Sequence, residues 1–147
     1  MGSIFFTAVA LALGAAAAPA VDFAGSCEPN SIKISSTTVQ ANCKNIFGQY
    51  ACSKLDLNRC IKNNYGRLAA DPTGAGPHFG DQCVKCTNTK PDSGLVVDGG
   101  PSLMYCACNP GTGVAQGSWP TAIIDLNTVI DNNNGLMECY GVKGTAC

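Results

Sequence analysis

The sequence predicts a mainly β domain that is made of two tandem repeats and stapled by disulfide bonds. Ten cysteines lie in a chain of 147 residues. Several short stretches alternate apolar and polar residues, which is typical of half-buried strands. One unusual motif occurs twice, as LDLNRCIKNNYGRL from Leu55 and as IDLNTVIDNNNGLM from Ile124. A duplicated motif indicates a repeat architecture, in which each unit buries its apolar face against the other.

Residues 1–20 are predicted to be a secretory signal peptide. They contain no charged side chain, Ile4 to Ala18 form an apolar run, and Ala18-Pro19-Ala20 offers small residues at a cleavage site. A membrane anchor is the alternative, but the run is short for a span of ~20 residues and lacks a basic stop. We therefore expect a secreted, extracellular protein with no membrane partner.

Residues 21–147 are expected to fold as one domain, and they contain all ten cysteines. In an exported chain an even cysteine number indicates disulfide bonds and not a metal site. The formal net charge of −1 comes from scattered acidic and basic residues, which argues against a nucleic-acid partner. His78 is the only histidine and has no nucleophile to pair with, so we expect no enzyme activity and no cofactor.

The first repeat, about 23–70, is predicted to begin with two strands. Apolar residues occupy every second position of both strands, which places them on one face, while the polar residues between them face water. These apolar residues are Ile32 and Ile34 in one strand and Val39, Ala41 and Cys43 in the other.

The DLN segment is predicted to contain a strand end, one helical turn and a chain reversal. Asn58 is expected to cap the turn, which carries Cys60 and Ile61 inward. The reversal falls at 63–66, where Gly66 or an asparagine adopts the left-handed conformation, and a strand restarts at Leu68. Asp56 and its equivalent Asp125 are expected to support the turn and not to act as an acid/base pair.

The second repeat, about 79–140, is predicted to follow the same order, and a short tail, 141–147, completes the chain. Asp98-Gly99-Gly100 is the predicted hairpin turn of this repeat. Each repeat holds few large apolar residues, too few to offset an ordering entropy of ~1–2 kcal/mol per residue. We therefore expect the two repeats to pack together as one pseudo-symmetric body.

The doubled motif resembles the cyanovirin-N homology family of lectins. Both copies read DLN-x-x-I-x-N-x-x-G, each follows an apolar-x-apolar-x-Cys stretch, and HFGDQC is similar to the aromatic-x-x-x-Cys start of the family's second repeat. The similarity covers Phe23 to about Cys139. It implies a cyanovirin-N-like, elongated domain whose two repeats exchange strands. It also implies binding of oligosaccharides or glycoproteins, typically through mannose-type glycans, in shallow clefts without metal, as in secreted fungal members of the family.

The resemblance places two candidate clefts near the two ends of the domain, each formed by residues of both repeats. The first cleft would comprise Asp22, Gly25, Ser26, Lys44, Asn45, Asn132, Asn133 and Asn134. The second cleft would comprise Lys62, Asn63, Asn64, Tyr65, Asp81, Gln82 and Asn109. Amide and carboxylate groups suit sugar hydroxyls, which both donate and accept hydrogen bonds.

The first cleft is expected to be the better site. The Gly/Pro-rich loop 69–78 adjoins the second cleft, and Pro110 removes a backbone donor there. Replacing Asn132 and Asn134 by alanine is expected to abolish binding at the first cleft without lowering the melting temperature. Tyr65 and Trp119 are expected to pack against the protein and not to stack on a sugar.

The disulfide pairing follows from these elements in part. Cys27–Cys43 and Cys83–Cys108 would each staple one hairpin-like unit. The remaining bonds are expected to be Cys52–Cys60, Cys86–Cys106 and Cys139–Cys147, with exchanged partners among Cys83, Cys86, Cys106 and Cys108 as an alternative.

Two functions remain open at this point. The first is a secreted carbohydrate-binding protein, and the second is a disulfide-rich scaffold or effector that has kept the fold but lost sugar binding. A glycan array separates them. A monomer and a strand-exchanged dimer are both compatible with the sequence.

Overall fold

The computed structural model describes residues 22–89 and 100–147. The predicted signal peptide lies outside the described residues, as do Asp98 and Gly99 of the predicted hairpin turn. Gly100, the last residue of that turn, has a φ of 85°. Within the described ranges, no helix is long and apolar enough to cross a membrane.

Short strands dominate the described residues, as the alternation predicted, and the helical segments are single turns. The strands are β1 Lys33–Ser35, β2 Thr38–Lys44, β3 Tyr50–Asp56, β4 Ile61–Asn63, β5 Leu68–Ala70, β6 Cys83–Thr87, β7 Leu103–Cys108, β8 Thr121–Asp125, β9 Asp131–Asn133, β10 Leu136–Cys139, β11 Val142–Lys143 and β12 Thr145–Ala146. The α-helical turn is α1 Phe23–Ser26, and the 3-10 turns are Pro29–Ser31, Leu57–Arg59, Phe79–Asp81, Gln116–Ser118 and Leu126–Thr128.

Each repeat forms one larger antiparallel sheet and one hairpin. The larger sheets have the orders β1-β2-β3-β12 and β6-β7-β8, and the hairpins are β4-β5 and β9-β10, the latter extended by β11. In β2 the side chains of Val39, Ala41 and Cys43 are fully buried, which confirms the predicted inward face.

The hairpin of each repeat packs on the sheet of the other repeat, so the expected strand exchange is confirmed. The Met137 N–H of β10 donates to Ser53 Oγ of β3 at 2.9 Å. At the other end, Asn63 Nδ2 of β4 donates to the carbonyl of Asn109, which follows β7, at 2.8 Å. One apolar core therefore contains residues of both repeats.

The turns at the two DLN motifs have the same construction. Asp56 Oδ1 accepts from the Asn58 N–H, and Asp125 Oδ1 accepts from the Asn127 N–H, both at 3.0 Å. The prediction that Asn58 caps the helical turn is wrong, because the turn begins at Leu57 and Asp56 caps it. The supporting role predicted for Asp56 and Asp125 is confirmed.

The two DLN asparagines join the repeats instead. Asn58 Oδ1 accepts from the Gly80 N–H at 3.1 Å, and Asn127 Oδ1 accepts from the Ala24 N–H at 2.9 Å. Each amide thereby fixes the turn that opens a repeat, where Phe23 or Phe79 is fully buried.

All ten cysteines form disulfide bonds. Three bonds agree with the prediction, namely Cys27–Cys43, Cys83–Cys108 and Cys86–Cys106. The predicted Cys52–Cys60 and Cys139–Cys147 bonds are wrong, because the structure bonds Cys52 to Cys147 and Cys60 to Cys139.

The two mispredicted pairs follow from the way the repeats interlock. β12 pairs with β3, which brings the Cys147 N–H to 3.2 Å from the carbonyl of Cys52. Cys139 ends β10, which lies on β3, and it meets the fully buried Cys60 just beyond that strand. Pairing between neighbours in sequence was the wrong expectation, since the strands that approach each other belong to distant segments.

Candidate functional site

The second cleft is a true depression, with a volume of about 370 Å³. Four of its predicted residues line it, namely Asn63, Tyr65, Gln82 and Asn109, together with Pro77, Gly111 and Thr112. Lys62, Asn64 and Asp81 do not line the depression. The structure therefore brings together residues from the β4–β5 hairpin, the start of the second repeat and two loops.

Asn63 holds these segments in place. Its Nδ2 atom donates to Gln82 Oε1 at 3.1 Å and to the carbonyl of Asn109 at 2.8 Å. Its Oδ1 atom accepts from the Gly66 N–H at 2.9 Å. Because both ends of this buried amide are used within the protein, Asn63 positions the cleft and has little capacity left for a ligand.

Two other amides keep free donors at the cleft. Among the hydrogen bonds of the described residues, Gln82 uses its side-chain oxygen and Asn109 uses its Oδ1 atom to accept from the Gly111 N–H at 2.9 Å. Neither Gln82 Nε2 nor Asn109 Nδ2 has a partner there, and both side chains are partly exposed. The cleft thus presents NH₂ groups in fixed positions, each with two hydrogens to donate.

Tyr65 projects from the tip of the β4–β5 hairpin into solvent. It is 82% exposed, so the prediction that it packs against the protein is wrong. Its φ is 49°, in the left-handed region that bulky residues rarely occupy, at a cost of order 1–3 kcal/mol. Gly66 follows with a φ of 82°, as predicted, and together they form the two-residue turn. A strained, exposed aromatic side chain beside a cleft is a candidate ligand contact.

The two Gly/Pro-rich loops form walls of the second cleft and do not obstruct it. Pro77 of the loop 69–78 lines one side, and Gly111 and Thr112 of the loop 109–120 line another. Pro110 packs against the hairpin turn, since a Cβ placed on Gly66 would lie 3.1 Å from Pro110 Cβ. The sequence missed these wall residues, because nothing in a Gly/Pro-rich stretch indicates which side chains face a neighbouring hairpin.

Asp71 fixes the first of these loops. Its carboxylate, which is 2% exposed, accepts from Thr73 Oγ1 at 2.8 Å and from the Gly76 N–H at 2.9 Å. The Thr73 hydrogen bond, then the Gly76 hydrogen bond, and the nearby Lys62 charge hold the pKa of Asp71 below its usual value. The ionised carboxylate therefore orders the wall that carries Pro77.

Most amide groups of the first cleft are engaged within the protein, and Asn134 Nδ2 is the donor left without a partner among the described residues. Asn132 Nδ2 donates to the carbonyl of Lys44 at 2.9 Å, and Asn132 Oδ1 accepts from the Gly135 N–H at 2.9 Å. Asn134 Oδ1 accepts from the Ile46 N–H at 2.8 Å, and Asn133 Nδ2 donates to Glu138 Oε2 at 2.9 Å. These side chains form the turn and hold it against the β2–β3 loop.

The remaining residues of the first cleft have local structural roles. Asn45 Oδ1 accepts from the Phe47 and Gln49 N–H groups at 2.9 and 3.0 Å. Asp22 caps α1, and a Cβ on Gly25 would lie 3.1 Å from Asp22 Oδ2. Ser26, at the position that Gln82 occupies in the second repeat, donates to the carbonyl of Phe23 at 3.3 Å. The short serine leaves the first cleft without an equivalent of the Gln82 amide.

Side chains that could hold a metal ion are not clustered in the described part of the chain. No cluster of three metal-ligating side chains occurs there, and each cysteine is in a disulfide bond. The Nδ1 atom of His78 lies 3.1 Å from the carbonyl of Asn58. The arrangement suits recognition of a neutral polar ligand by hydrogen bonds and aromatic contact.

Comparison with known proteins identifies the family. The CVNH domain model matches residues 23–138. The chain belongs to the CVNH family. The solved CVNH structure from Gibberella zeae is 24% identical, with a TM-score of 0.61, and covers 82% of this chain and 98% of that chain.

Two ligand complexes share the CVNH fold. A MoCVNH3 variant in complex with (N-GlcNAc)4 is 19% identical, with a TM-score of 0.61, over 81% of this chain and 97% of that chain. A microvirin–mannobiose complex is 24% identical, with a TM-score of 0.52, over 81% of this chain and 98% of that chain. Among curated proteins, no match is found for this CVNH chain.

Proposed function

We propose that this CVNH protein binds oligosaccharides and that the second cleft is its principal site. The observation that carries the proposal is the presence, in one depression, of an exposed tyrosine and two amide donors that have no partner among the described residues. Gln82 Nε2 and Asn109 Nδ2 can donate to sugar hydroxyls, and the ring of Tyr65 offers a flat apolar surface. Structures that share the fold are complexes with (N-GlcNAc)4 and with mannobiose, which supports the same ligand class.

The preference between the clefts is the reverse of the one drawn from the sequence. In the first cleft the only amide donor without a partner among the described residues is Asn134 Nδ2, whereas the second cleft keeps two such donors, Gln82 Nε2 and Asn109 Nδ2, at the rim of a depression. A ligand group adds hydrogen bonds at the second cleft without breaking any that the fold needs.

We propose mannose-type glycans as the first ligand class to test, with N-acetylglucosamine oligomers as the second. Binding would be reversible recognition, with no enzymatic step. We also propose that the protein is secreted, on the basis of the apolar run from Ile4 to Ala18. A disulfide-rich effector without sugar binding remains the competing function.

A glycan array followed by calorimetry tests the proposal. We expect binding to mannobiose or to the N-acetylglucosamine dimer, weakened about two- to tenfold by Gln82→Ala and by Asn109→Ala, since each removes a hydrogen bond worth ~0.5–1.5 kcal/mol. Asn64→Ala is the matched control, because Asn64 is exposed on the same hairpin and does not line the cleft.

Two results would contradict this function. If no oligosaccharide on the array binds at millimolar concentration, sugar binding is contradicted and the alternative function, a disulfide-rich effector without sugar binding, is favoured. If Asn64→Ala weakens binding as much as Gln82→Ala, the ligand does not occupy the second cleft. Measuring the unfolding midpoint of each variant keeps loss of binding separate from loss of fold.

A further inference from the structure

Two further depressions continue from the second cleft along strand β8. The nearer one, of about 510 Å³, lies between the β4–β5 hairpin and β8 and is lined in part by Tyr65, Arg67, Thr121 and Ile123. Tyr65 also lines the second cleft itself, so the two depressions meet at this side chain. This volume falls within the range typical of ligand sites.

The farther depression, of about 760 Å³, lies on the outer face of the β6-β7-β8 sheet. It is lined in part by Trp119 and Gln116, and it shares Thr121 with the nearer depression. The floor is formed by cross-strand neighbours, since Val84 pairs with Ala107 and Ala107 pairs with Thr121. The three depressions therefore form a chain in which each shares a residue with the next.

The pattern of β8 places the shared residues on one surface. Thr121 and Ile123 are exposed, whereas Ala122 and Ile124 between and after them are buried. Residues two apart in a strand point to the same side and lie about 7 Å apart. Ile123 is 55% exposed and leaves an apolar surface between Tyr65 and Trp119.

The lining of this path suits a hydroxyl-rich ligand that carries no positive charge, since its charged side chains among the described residues are Arg67 and Lys85. Trp119 is half-buried, and its Nε1 atom donates to the carbonyl of Val114 at 3.1 Å, which holds the indole in the loop 109–120. Gln116, Thr121 and Lys85 supply hydrogen-bonding groups around it, and no carboxylate is found among the described residues that line the two depressions. Aromatic rings separated by polar side chains match a chain of sugar rings, whose faces are apolar and whose edges carry hydroxyls.

We propose that the two depressions are subsites that extend the second cleft, so that the ligand is a linear oligosaccharide crossing β8 from Tyr65 to Trp119. This inference rests on the proposed sugar binding in the second cleft and specifies its substrate class. A disaccharide fills the cleft alone, whereas a longer chain gains contacts at Ile123 and then at Trp119. Affinity therefore rises with chain length.

Trp119 is the only tryptophan in the chain, so its fluorescence reports this subsite directly. The probes are dimers and hexamers of N-acetylglucosamine and of α-linked mannose, titrated with fluorescence and calorimetry. We expect the hexamer of the bound sugar to change the Trp119 emission and to bind at least tenfold more tightly than its dimer. The dimer should bind without changing the emission.

Single substitutions distinguish a loss of ligand contact at the subsites from a loss of protein stability. Trp119→Ala should remove the tenfold gain while leaving dimer binding within twofold of the wild type. Because that change can loosen its loop, Ile123→Glu provides a second test on a rigid strand and should reduce the gain with an unchanged unfolding midpoint. Tyr50→Ala is the control, because Tyr50 is 47% exposed and lies on β3, away from these depressions.

The outcomes distinguish the two proposals. Dimer binding that depends on Gln82, with no gain for the hexamer and no change in emission, overturns the extended site and leaves the second cleft standing. Failure of both dimers and both hexamers to bind overturns the proposed function and the extension together. A hexamer gain that survives both Trp119→Ala and Ile123→Glu also overturns the path across β8.

Discussion

The two disulfide bonds that the sequence did not predict are nested, and this nesting makes their contributions to stability non-additive. We call Cys52–Cys147 the outer bond and Cys60–Cys139 the inner bond. Eight positions separate the two bonds at each end of the chain. While one bond is present, the other closes a loop of only about sixteen residues, which the chain-entropy model values at ~3 kcal/mol.

Once one bond is removed, the remaining bond contributes more to the free energy of unfolding, because it closes a longer loop. The outer bond by itself closes a loop of about seventy residues, since Cys83–Cys108 shortens the path, and the same model then gives ~4.4 kcal/mol. Removing both bonds should therefore lower the free energy of unfolding by about 1.3 kcal/mol more than the two single losses combined. This excess is larger than the ~0.3–0.5 kcal/mol within which independent sites add.

A double-mutant cycle measures this excess. The outer bond is removed by Cys52→Ala with Cys147→Ala, the inner bond by Cys60→Ala with Cys139→Ala, and unfolding in guanidinium chloride is followed by circular dichroism. The packing lost at the buried inner pair occurs with or without the outer bond, so it cancels in the cycle.

Removal of Cys27–Cys43, which lies outside the nested loop, is the control. Its cost should add to that of the outer bond within ~0.5 kcal/mol. If the outer and inner losses also add within that margin, the two bonds do not constrain a common loop and the reasoning fails.

Three further changes test the structural roles of single side chains. Ser53→Ala should destabilise the protein by ~1–3 kcal/mol in chemical denaturation, because the buried Met137 N–H loses its acceptor, whereas Ser53→Thr keeps the hydroxyl and should cost less. Asn134→Ala should lower stability by about 2 kcal/mol, and the melting temperature with it, because the Ile46 N–H loses its partner and alanine must adopt a φ of 54°. An unchanged melting temperature would contradict this role and support the expectation from the sequence that Asn134 is not needed for stability. The Asp71 pKa is lowered in the folded state, so its contribution to stability is complete above the ordinary carboxyl pKa and is lost as pH falls below about 4. Asp71→Asn should flatten the fall in stability below about pH 4, and an acid transition identical to that of the wild type would contradict the role given to this carboxylate.

The features that the sequence predicted well are encoded within short segments. Alternation along β2 predicted its buried face, and the duplicated motif predicted two equivalent turns, while the exchange of hairpins between repeats was implied by the family resemblance. The bonds Cys27–Cys43 and Cys83–Cys108 were predicted because each joins residues that face each other directly, in an isolated bridge or across a hairpin.

The features that the sequence mispredicted depend on distant contacts. The motif contains Asn63 and Asn132 at equivalent positions, and nothing in it distinguishes them. Both amides bond the N–H of the turn glycine and a carbonyl of the other repeat, but Asn63 also contacts Gln82, whereas the first repeat has Ser26 at that position. Likewise the choice between Cys60 and Cys147 as the partner of Cys52 depends on the pairing of β12 with β3.

The sequence by itself determined that this protein is a disulfide-stapled β domain of two interlocked repeats, because periodicity, turn residues and duplication are local properties of the chain. Only the tertiary structure decided which cysteines bond across the repeats and which side chains line the depression at the second cleft. Those outcomes depend on which distant segments meet in space.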